Sequence, residues 1–243
     1  MQKVKIEKNT VQETLIVSLY GRKMCSEKFP ELYTDVFAKE LCEKIDYDFT
    51  DLEKKNNSFL YKFDSLEAAM RQLDIIWEIK EYLKQYPEAT IVNLGCGLDE
   101  TGKACDLKDY SWMDEVDSSK GIIFFAADVF HYFKMDEVKA LVLELAKRYT
   151  GGCLVFDSVG KLGLKLMMSK TLKNMGINDV DGFFYINNPE KDLNWSEKIK
   201  VTSKGYMLGY YDMKSYNIYF THRLLGKICD NVMKMSINKM DFE

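Results

Sequence analysis

Three short apolar runs, rich in β-branched and aromatic residues, constrain the fold of this 243-residue chain more than any other feature. They occupy residues 89–94 (ATIVNL), 121–127 (GIIFFAA) and 152–157 (GCLVFD). None alternates strictly between apolar and polar residues, so both faces of each predicted strand are expected to be buried. Strands buried on both faces are typical of a parallel sheet that carries helices on either side.

A helix between the second and third runs completes a strand–helix–strand unit. Its apolar stripe recurs at helical spacing and comprises Val138, Leu141, Val142, Leu145, Ala146 and Tyr149. Acidic residues stand in its first turn and basic ones in its last turn, and Gly151 follows, as the helix dipole and a C-cap favour. This order of elements predicts an α/β protein with a parallel sheet.

Periodicity and turn residues predict the remaining elements. The capping-box spacing of Asp64 and Glu67 predicts a helix that ends near Pro87. Other predictions are helices over residues 31–45, 162–174 and 220–231, strands at 199–201 and 233–242, and a loop over 46–63. We expect a single domain over residues 1–243, with a helical cap region at 1–88 and an α/β core at 89–243.

Composition narrows the classes of function. A formal net charge of −4 disfavours non-specific nucleic-acid binding, which depends on clustered positive charge. The 6 Cys are scattered and there are only 2 His, so neither a disulfide framework nor a zinc site is expected. The start of the chain shows no secretory signal, and the most apolar stretch, residues 121–130, is shorter than the about 20 residues that span a bilayer. We therefore expect a cytoplasmic protein without membrane or metal.

The first apolar run leads directly into Gly95-Cys96-Gly97. Glycine permits unusual φ angles and lets a ligand approach the backbone, and ligands of open α/β sheets bind beyond the carboxyl ends of the strands. A dinucleotide fingerprint would place a third glycine soon afterwards, but Asp99 and Glu100 stand there, which disfavours a nicotinamide or flavin site. A tight turn that binds no ligand is the alternative interpretation of this spacing.

Residues 92–99 (VNLGCGLD) resemble the first cofactor motif of the leucine carboxyl methyltransferase family, especially its branch of tetracenomycin-type polyketide O-methyltransferases. Further matches follow in the family's order, at residues 13–16 with 20–22, 105–112, 126–133 and 151–157. The ordered set covers most of the chain. The resemblance implies a Rossmann-like, doubly wound, mainly parallel sheet with a helical N-terminal cap, and the use of S-adenosylmethionine.

The same resemblance implies roles for particular residues. Gly95, Cys96 and Gly97 would line the methionine and ribose part of the cofactor. Arg22 would pair with its carboxylate, since an arginine fork suits that geometry. Asp106 and Leu107 would contact the adenine. Without the resemblance, Arg22 would be interpreted as a solvated surface charge and Asp106 as a helix cap.

The sequence departs from the family at two places. After the fourth strand the family has an acidic residue and a glycine, where this chain has Ala127 and Asp128, so a cofactor contact at Ala127 is lost or displaced by one position. Only residues 98–120 separate the glycine motif from the second apolar run, an interval in which the family fits a helix, a strand, another helix and a third strand. A single βαβ unit needs roughly 30 residues. Either this unit is truly absent, or the sequence skips it.

The function that this resemblance implies is methyl transfer from S-adenosylmethionine to a carboxyl or hydroxyl group of a small molecule. A carboxylate acceptor needs no strong base, whereas a hydroxyl acceptor would benefit from one, for which His131 and the adjacent Tyr132 are candidates. Simple packing of His131 is the alternative. An inactive relative that has lost cofactor affinity, or a different nucleotide-binding enzyme such as a dehydrogenase, are the other hypotheses. The acceptor and the oligomeric state are left open.

Overall fold

The computed structural model of the protein describes residues 4–6, 11–95, 103–105, 107, 109–169, 183–206 and 209–243. Within these residues the chain forms both helices and strands. The helices are α1 (Val11–Lys28), α2 (Val36–Lys44), α3 (Thr50–Lys55), α4 (Phe59–Gln85), α5 (Met135–Arg148), α6 (Lys161–Met167), α7 (Pro189–Asp192) and α8 (Phe220–Ile228). The strands are β1 (Val4–Lys5), β2 (Ile45–Asp46), β3 (Thr90–Leu94), β4 (Lys103–Cys105), β5 (Ile122–Ala126), β6 (Cys153–Ser158), β7 (Ile199–Gly205) and β8 (Ser236–Phe242).

The main sheet has six strands in the order β4-β3-β5-β6-β8-β7, and β1 pairs with β2 in a separate small sheet. Strands β4, β3, β5 and β6 are parallel to their neighbours, whereas β8 runs antiparallel between β6 and β7. The carboxyl ends of β5, β6 and β7 and the start of β8 therefore lie along one edge. The predicted α/β fold with a mainly parallel sheet is confirmed.

Strand β5 shows why the apolar runs lack alternation. Ile122, Phe124 and Ala126 enter the apolar cluster that contains the stripe of α5. Ile123 and Phe125 point to the opposite face, into a cluster that contains apolar residues of α4. Burial on both faces, expected for a sheet between two helical layers, is thus confirmed.

The beginnings of two helices differ from the sequence predictions. Helix α4 starts at Phe59, not after Asp64, because Ser58 caps it with an oxygen that accepts from the Tyr61 N–H at 3.2 Å. The buried stripe of α4 already includes Phe63, whereas Asp64 is exposed. The loop predicted over residues 46–63 is therefore wrong, since it also contains α3.

Helix α2 likewise begins later than predicted. It starts at Val36 rather than residue 31, because an oxygen of Asp35 accepts from the Ala38 N–H at 2.8 Å and ends the preceding turn. The division of the chain at residue 88 does not separate layers, because α4 itself packs on the sheet. Helices α1 and α2 form a smaller apolar cluster beside it.

The interval between β3 and β5 is as short in the structure as in the sequence. In its described part it holds one three-residue strand, β4, and a 3₁₀ helix at Ser111–Glu115. Strand β4 pairs with residues Val92 to Leu94 of β3, so β3 and β5 pair as neighbours and the edge of β3 is covered over three positions. Strand β4, rather than β3, is therefore the outermost strand on this side of the sheet.

The C-terminal elements agree with the predictions except at their ends. Helix α8 ends at Ile228 and continues as a π-helix over Cys229–Met233. Strand β8 begins at Ser236 rather than residue 233, because Lys234 takes a left-handed conformation with φ of 55°. Of the helix predicted at 162–174, Lys161–Met167 is helical, and residues 170–174 lie outside the described part. Among the described helices, none combines the length and the apolar character needed to cross a bilayer.

Candidate functional site

A cluster of charged side chains lies at the edge where β5 and β6 end. Asp128 follows β5, Asp157 stands near the end of β6, and Arg71 reaches them from α4. One nitrogen of Arg71 lies 3.1 Å from Asp128 Oδ1, and the other donates to Asp128 Oδ2 at 3.1 Å. The first nitrogen also lies 3.7 Å from Asp157 Oδ2. Arg71 thus forms a forked ion pair with one carboxylate and a longer one with the second.

His131 completes this cluster from the 3₁₀ turn after β5. Its side chain is 1% exposed, and its Nε2 lies 3.3 Å from Asp157 Oδ2 and 3.9 Å from Asp128 Oδ1. Burial disfavours the charged imidazolium, but the hydrogen bond and charge of Asp157, helped by Asp128, outweigh it and raise the pKa of His131. The cluster therefore favours the protonated form of His131, which cannot accept a proton.

The pKa values of Asp157 and Arg71 are also shifted toward the charged forms. Burial opposes ionisation of Asp157, but the Arg71 charge and the His131 hydrogen bond lower its pKa below the ordinary value. Burial likewise disfavours the Arg71 cation, and the Asp128 and Asp157 charges reverse this and raise its pKa. Two cations and two carboxylates therefore balance one another in a largely buried place.

Three side chains of this cluster also lie close enough together to share one metal ion. Ligand atoms of Asp128, His131 and Asp157 all lie within 4.8 Å of one another. The guanidinium of Arg71, however, already pairs with both carboxylates, and the protonated form of His131, which the pKa shift favours, has no lone pair at Nε2. We therefore interpret the cluster as an ion-pair network.

An apolar cavity of about 380 Å³ lies on the other side of the chain that follows β5. Leu107 and Tyr110, from the segment after β4, form one wall, and Phe130 and Phe133 form another. The first turns of α5 close it and contribute the carboxylates of Asp136 and Glu137. Its size falls in the range of small-molecule sites, about 300–1,000 Å³, and its aromatic walls suit a flat ring.

The segment after β5 serves both the cluster and the cavity. Asp128 takes a left-handed conformation, with φ of 59°, and its N–H donates to Asp157 Oδ1 at 2.7 Å. From this fixed start, Asp128 and His131 contact the ion-pair network, whereas Phe130 and Phe133 line the cavity. A charged cluster and an aromatic cavity are therefore held by a single short segment at the sheet edge.

Gly95 closes β3 as the sequence predicts, but the space beside it is filled. Its φ is +79°, a conformation that residues with a side chain rarely adopt. A Cβ at this position would lie 3.0 and 3.1 Å from the two methyl carbons of Val129. The turn and the contact with Val129 account for this glycine. Val129 occupies the space that a side chain at Gly95 would fill, so that space is not open to a ligand.

The structure distributes the other residues named from the sequence. Leu107 lines the aromatic cavity, and Ala127 stands at the end of β5 in the apolar layer under α4. Cys96, Gly97 and Asp106 lie outside the described residues. Their roles toward a cofactor stay predictions.

Two further candidates lie in the N-terminal helices and the 3₁₀ turn. Arg22 is buried, and its Nε lies 3.6 Å from Asp35 Oδ2. Another nitrogen of Arg22 lies 3.5 Å from Oε1 of Gln72, the residue that follows Arg71 in the chain. Tyr132 is hydrogen-bonded to Thr14, and burial raises the pKa of its hydroxyl to about 12. Neither His131 nor Tyr132 is poised to accept a proton near neutral pH.

Sequence reasoning missed Arg71, the central cation of the site. A signal was present, since Glu67, Arg71, Asp74 and Glu78 recur every three or four residues along a helix that packs in the core. In the structure Asp74 and Glu78 are buried, and Glu67 accepts from the Tyr206 hydroxyl at 3.3 Å. A polar stripe at helical spacing on a buried helix favours a functional or partnered face.

Comparison of the structure with solved structures finds a protein of similar fold. A crystal structure of a protein from Thermobifida fusca YX that is provisionally named a methyltransferase matches with a TM-score of 0.53. The match covers 94% of this chain and 94% of that chain, at 11% sequence identity. At this identity the likeness concerns the fold alone.

Comparison with curated proteins points to a particular relative. The tetracenomycin polyketide synthesis O-methyltransferase TcmP of Streptomyces glaucescens is 30% identical over 105 residues, which are 43% of this chain and 37% of that protein. The chain thus matches little more than a third of the relative's length. No protein-family model matches the chain. The resemblance to tetracenomycin-type methyltransferases that the motifs indicate is confirmed by this match.

Proposed function

We propose that the protein transfers a methyl group from S-adenosylmethionine to a carboxylate of a small molecule. The observation that carries the proposal is the segment after β5, which places an aromatic cavity and an arginine-containing cluster side by side at the carboxyl edge of the sheet. Open α/β sheets bind ligands at this edge. The likeness to methyltransferases supports this choice among possible ligands.

The residues present suit the two ends of this cofactor. Leu107, Tyr110, Phe130 and Phe133 offer apolar and aromatic surface to a nucleobase, and Asp136 offers a carboxylate that can accept from an amino or hydroxyl group. These side chains would hold the nucleoside part. This assignment agrees with the adenine contact that the sequence resemblance implies for Leu107.

Arg71 would hold the carboxylate end. In the structure its fork faces Asp128, whose side chain is 32% exposed, whereas Asp157 is 2% exposed. The cofactor carboxylate would replace Asp128 at the fork, and Asp157 would keep Arg71 in place. Such an exchange costs little Coulomb energy, because one carboxylate takes the place of another.

The charge states in the cluster favour a carboxylate acceptor over a hydroxyl. When bound, the sulfonium cofactor supplies an activated methyl group, and its transfer to an anion neutralises two opposite charges. The pKa of His131 is raised and that of Tyr132 is raised to about 12, and both shifts disfavour a role in deprotonating a hydroxyl. A carboxylate is already ionised, and this chain then needs only to position it and exclude water.

The experiment is methyl transfer from S-adenosylmethionine with a labelled methyl group. Small aromatic carboxylic acids and the matching alcohols are offered separately, and the product is treated with mild base. A methyl ester releases labelled methanol, whereas an ether does not. The proposal expects base-labile label with the acids only. Base-stable label would contradict the carboxylate acceptor, and no label with either class, despite cofactor binding, would favour an inactive relative.

A further inference from the structure

A second cavity, of about 430 Å³, lies where β7 ends and β8 begins. Ser236 at the start of β8 pairs with Ser158 at the end of β6, so this cavity shares the sheet edge with the cluster described above. Its lining combines apolar and polar residues and includes Asp230, Asn231 and Lys234. Neither the sequence motifs nor the proposed methyl transfer uses these side chains.

Asp230 is the unusual member of this cavity. Its Oδ1 is buried and has no hydrogen-bond partner among the described residues. Its carboxylate packs against Gly205, and a Cβ at position 205 would lie 2.7 Å from Asp230 Oδ2. The described residues provide no ion pair for it, although Lys234 lines the same cavity. A glycine in β7 thus makes room for a carboxylate that this part of the chain does not satisfy.

The local backbone takes two costly conformations around this carboxylate. Asp230 lies in the π-helix Cys229–Met233, and Lys234 follows with φ of 55°. π-helical turns are rare and are frequent at functional sites, and left-handed conformations of residues with a Cβ cost free energy that surrounding structure must offset. Together with Gly205, these features hold the Asp230 side chain in the cavity rather than in solvent.

The electrostatics of Asp230 agree with this geometry. Burial alone raises the pKa of its carboxyl to about 7. A largely buried carboxylate that lacks a donor is unfavourable, and a cationic donor entering the cavity would relieve that cost. An anionic ligand would instead add to it.

We infer that the cavity beside Asp230 binds a small molecule through a protonated amine, with the ammonium group donating to the Asp230 carboxylate. The cavity volume lies in the range of small-ligand sites, about 300–1,000 Å³. The hydroxyl and amide groups around the cavity suit a ligand that also carries polar atoms. This inference does not depend on methyl transfer, since binding of the amine is measured without the cofactor.

The test uses benzylamine, which is protonated at neutral pH, and benzyl alcohol as its neutral counterpart. Both are titrated into the ¹⁵N-labelled protein, and the amide resonances are followed. We expect saturable shifts with benzylamine and an affinity at least about tenfold lower with benzyl alcohol or with Asp230→Asn protein. The exposed Glu190, next to the lining residue Pro189, provides the control: Glu190→Gln leaves benzylamine binding unchanged.

Two more variants separate the carboxylate from the rest of the cavity. Gly205→Ala displaces the Asp230 carboxylate and weakens benzylamine binding, whereas Lys234→Gly relaxes the left-handed position, removes a competing ammonium and strengthens it. Asp230→Asn removes a buried charge, so its spectrum is expected to be that of a folded protein. Equal binding to wild type and Asp230→Asn protein, or no saturable shift up to about 10 mM benzylamine, would overturn the inference.

Discussion

Asp157 holds the charged cluster together at the scale of single residues. It contacts Arg71 and His131 and accepts the Asp128 N–H, and it is 2% exposed. Replacing it with Asn leaves two buried cations with only Asp128 as a counter-charge. We predict that Asp157→Asn lowers the free energy of unfolding by about 3–5 kcal/mol at pH 7, measured by urea denaturation.

The pH dependence of this loss follows from the depressed pKa of Asp157. The stabilisation is present above the ordinary aspartate pKa and is lost as the pH falls through the lower folded value. The difference in unfolding free energy between wild type and Asp157→Asn therefore decreases as the pH falls. Asp51→Asn, which breaks an exposed pair with Lys54, serves as the control and costs about 0–1 kcal/mol. An equal loss of stability from both substitutions would contradict the stabilising role of Asp157 in the cluster.

Gly95 and Gly151 form a matched pair for a second residue-scale prediction. Both have left-handed φ angles, +79° and +82°, but a Cβ meets Val129 at Gly95 and nothing within 4 Å at Gly151. Gly151→Ala should cost about 1 kcal/mol of unfolding free energy, for the backbone alone. Gly95→Ala should cost about 2–3 kcal/mol, because overpacking is added.

Thermal or urea unfolding of the two variants measures this difference. Val129→Ala in the Gly95→Ala background should recover the part due to packing. Equal losses at the two glycines would show that the space beside Gly95 is free after all, and would restore the bare turn expected from the sequence.

Residue roles were only partly predictable, for a physical reason. The glycine after β3 can be recognised locally, because its φ depends on its own turn. Arg71 lies 57 positions from Asp128, and its partners become visible only when α4 is placed on the sheet. The resemblance selects Arg22, which contacts Gln72, the neighbour of Arg71 in the chain, and its role toward a cofactor stays a prediction.

At the scale of elements, α4 packs on the sheet and carries a stripe of polar residues there. Burial raises the pKa of Glu67 to about 7, which the nearby Arg71 partly opposes. The folded protein therefore binds a proton that the unfolded chain releases at lower pH. Stability from this group falls as the pH rises from about 4.5 to 7 and stays reduced above it.

Glu67→Gln removes this penalty. We predict that the variant is more stable than wild type by about 1–3 kcal/mol at pH 8 and nearly equal to it at pH 5, by urea denaturation at both values. The exposed Glu81 of the same helix supplies the control, Glu81→Gln, with no such pH dependence. Absence of a gain at pH 8 would show that Glu67 is better solvated than its position indicates.

Strands were predicted better than helix starts. The three apolar runs became β3, β5 and β6, because a strand buried on both faces needs apolar residues at successive positions. The start of α4 was misplaced because Ser58 and Asp64 are both acceptable N-caps, and only the burial of Phe63 decides between them. Propensity alone does not contain that tertiary contact.

At the scale of the whole molecule, the fold matches that of the Thermobifida fusca protein over 94% of this chain, although the interval between β3 and β5 is short. The short β4 covers three positions of β3, and the segment that follows it still reaches the aromatic cavity through Leu107 and Tyr110. The shortened interval and the βαβ unit were visible in the sequence. The two cavities were not, since each is assembled from segments far apart in the chain.

The central claim is that the aromatic cavity and the Arg71 cluster bind S-adenosylmethionine. Ala140 lies exposed at the cavity on α5, so Ala140→Trp fills the cavity without disturbing the core, and Lys147→Trp on the same helix is the control away from it. The most direct measurement is calorimetric titration of the three proteins with S-adenosylhomocysteine. Saturable binding by wild type and Lys147→Trp, with loss in Ala140→Trp, is the predicted result. No binding by wild type, or equal binding by all three, would contradict the account.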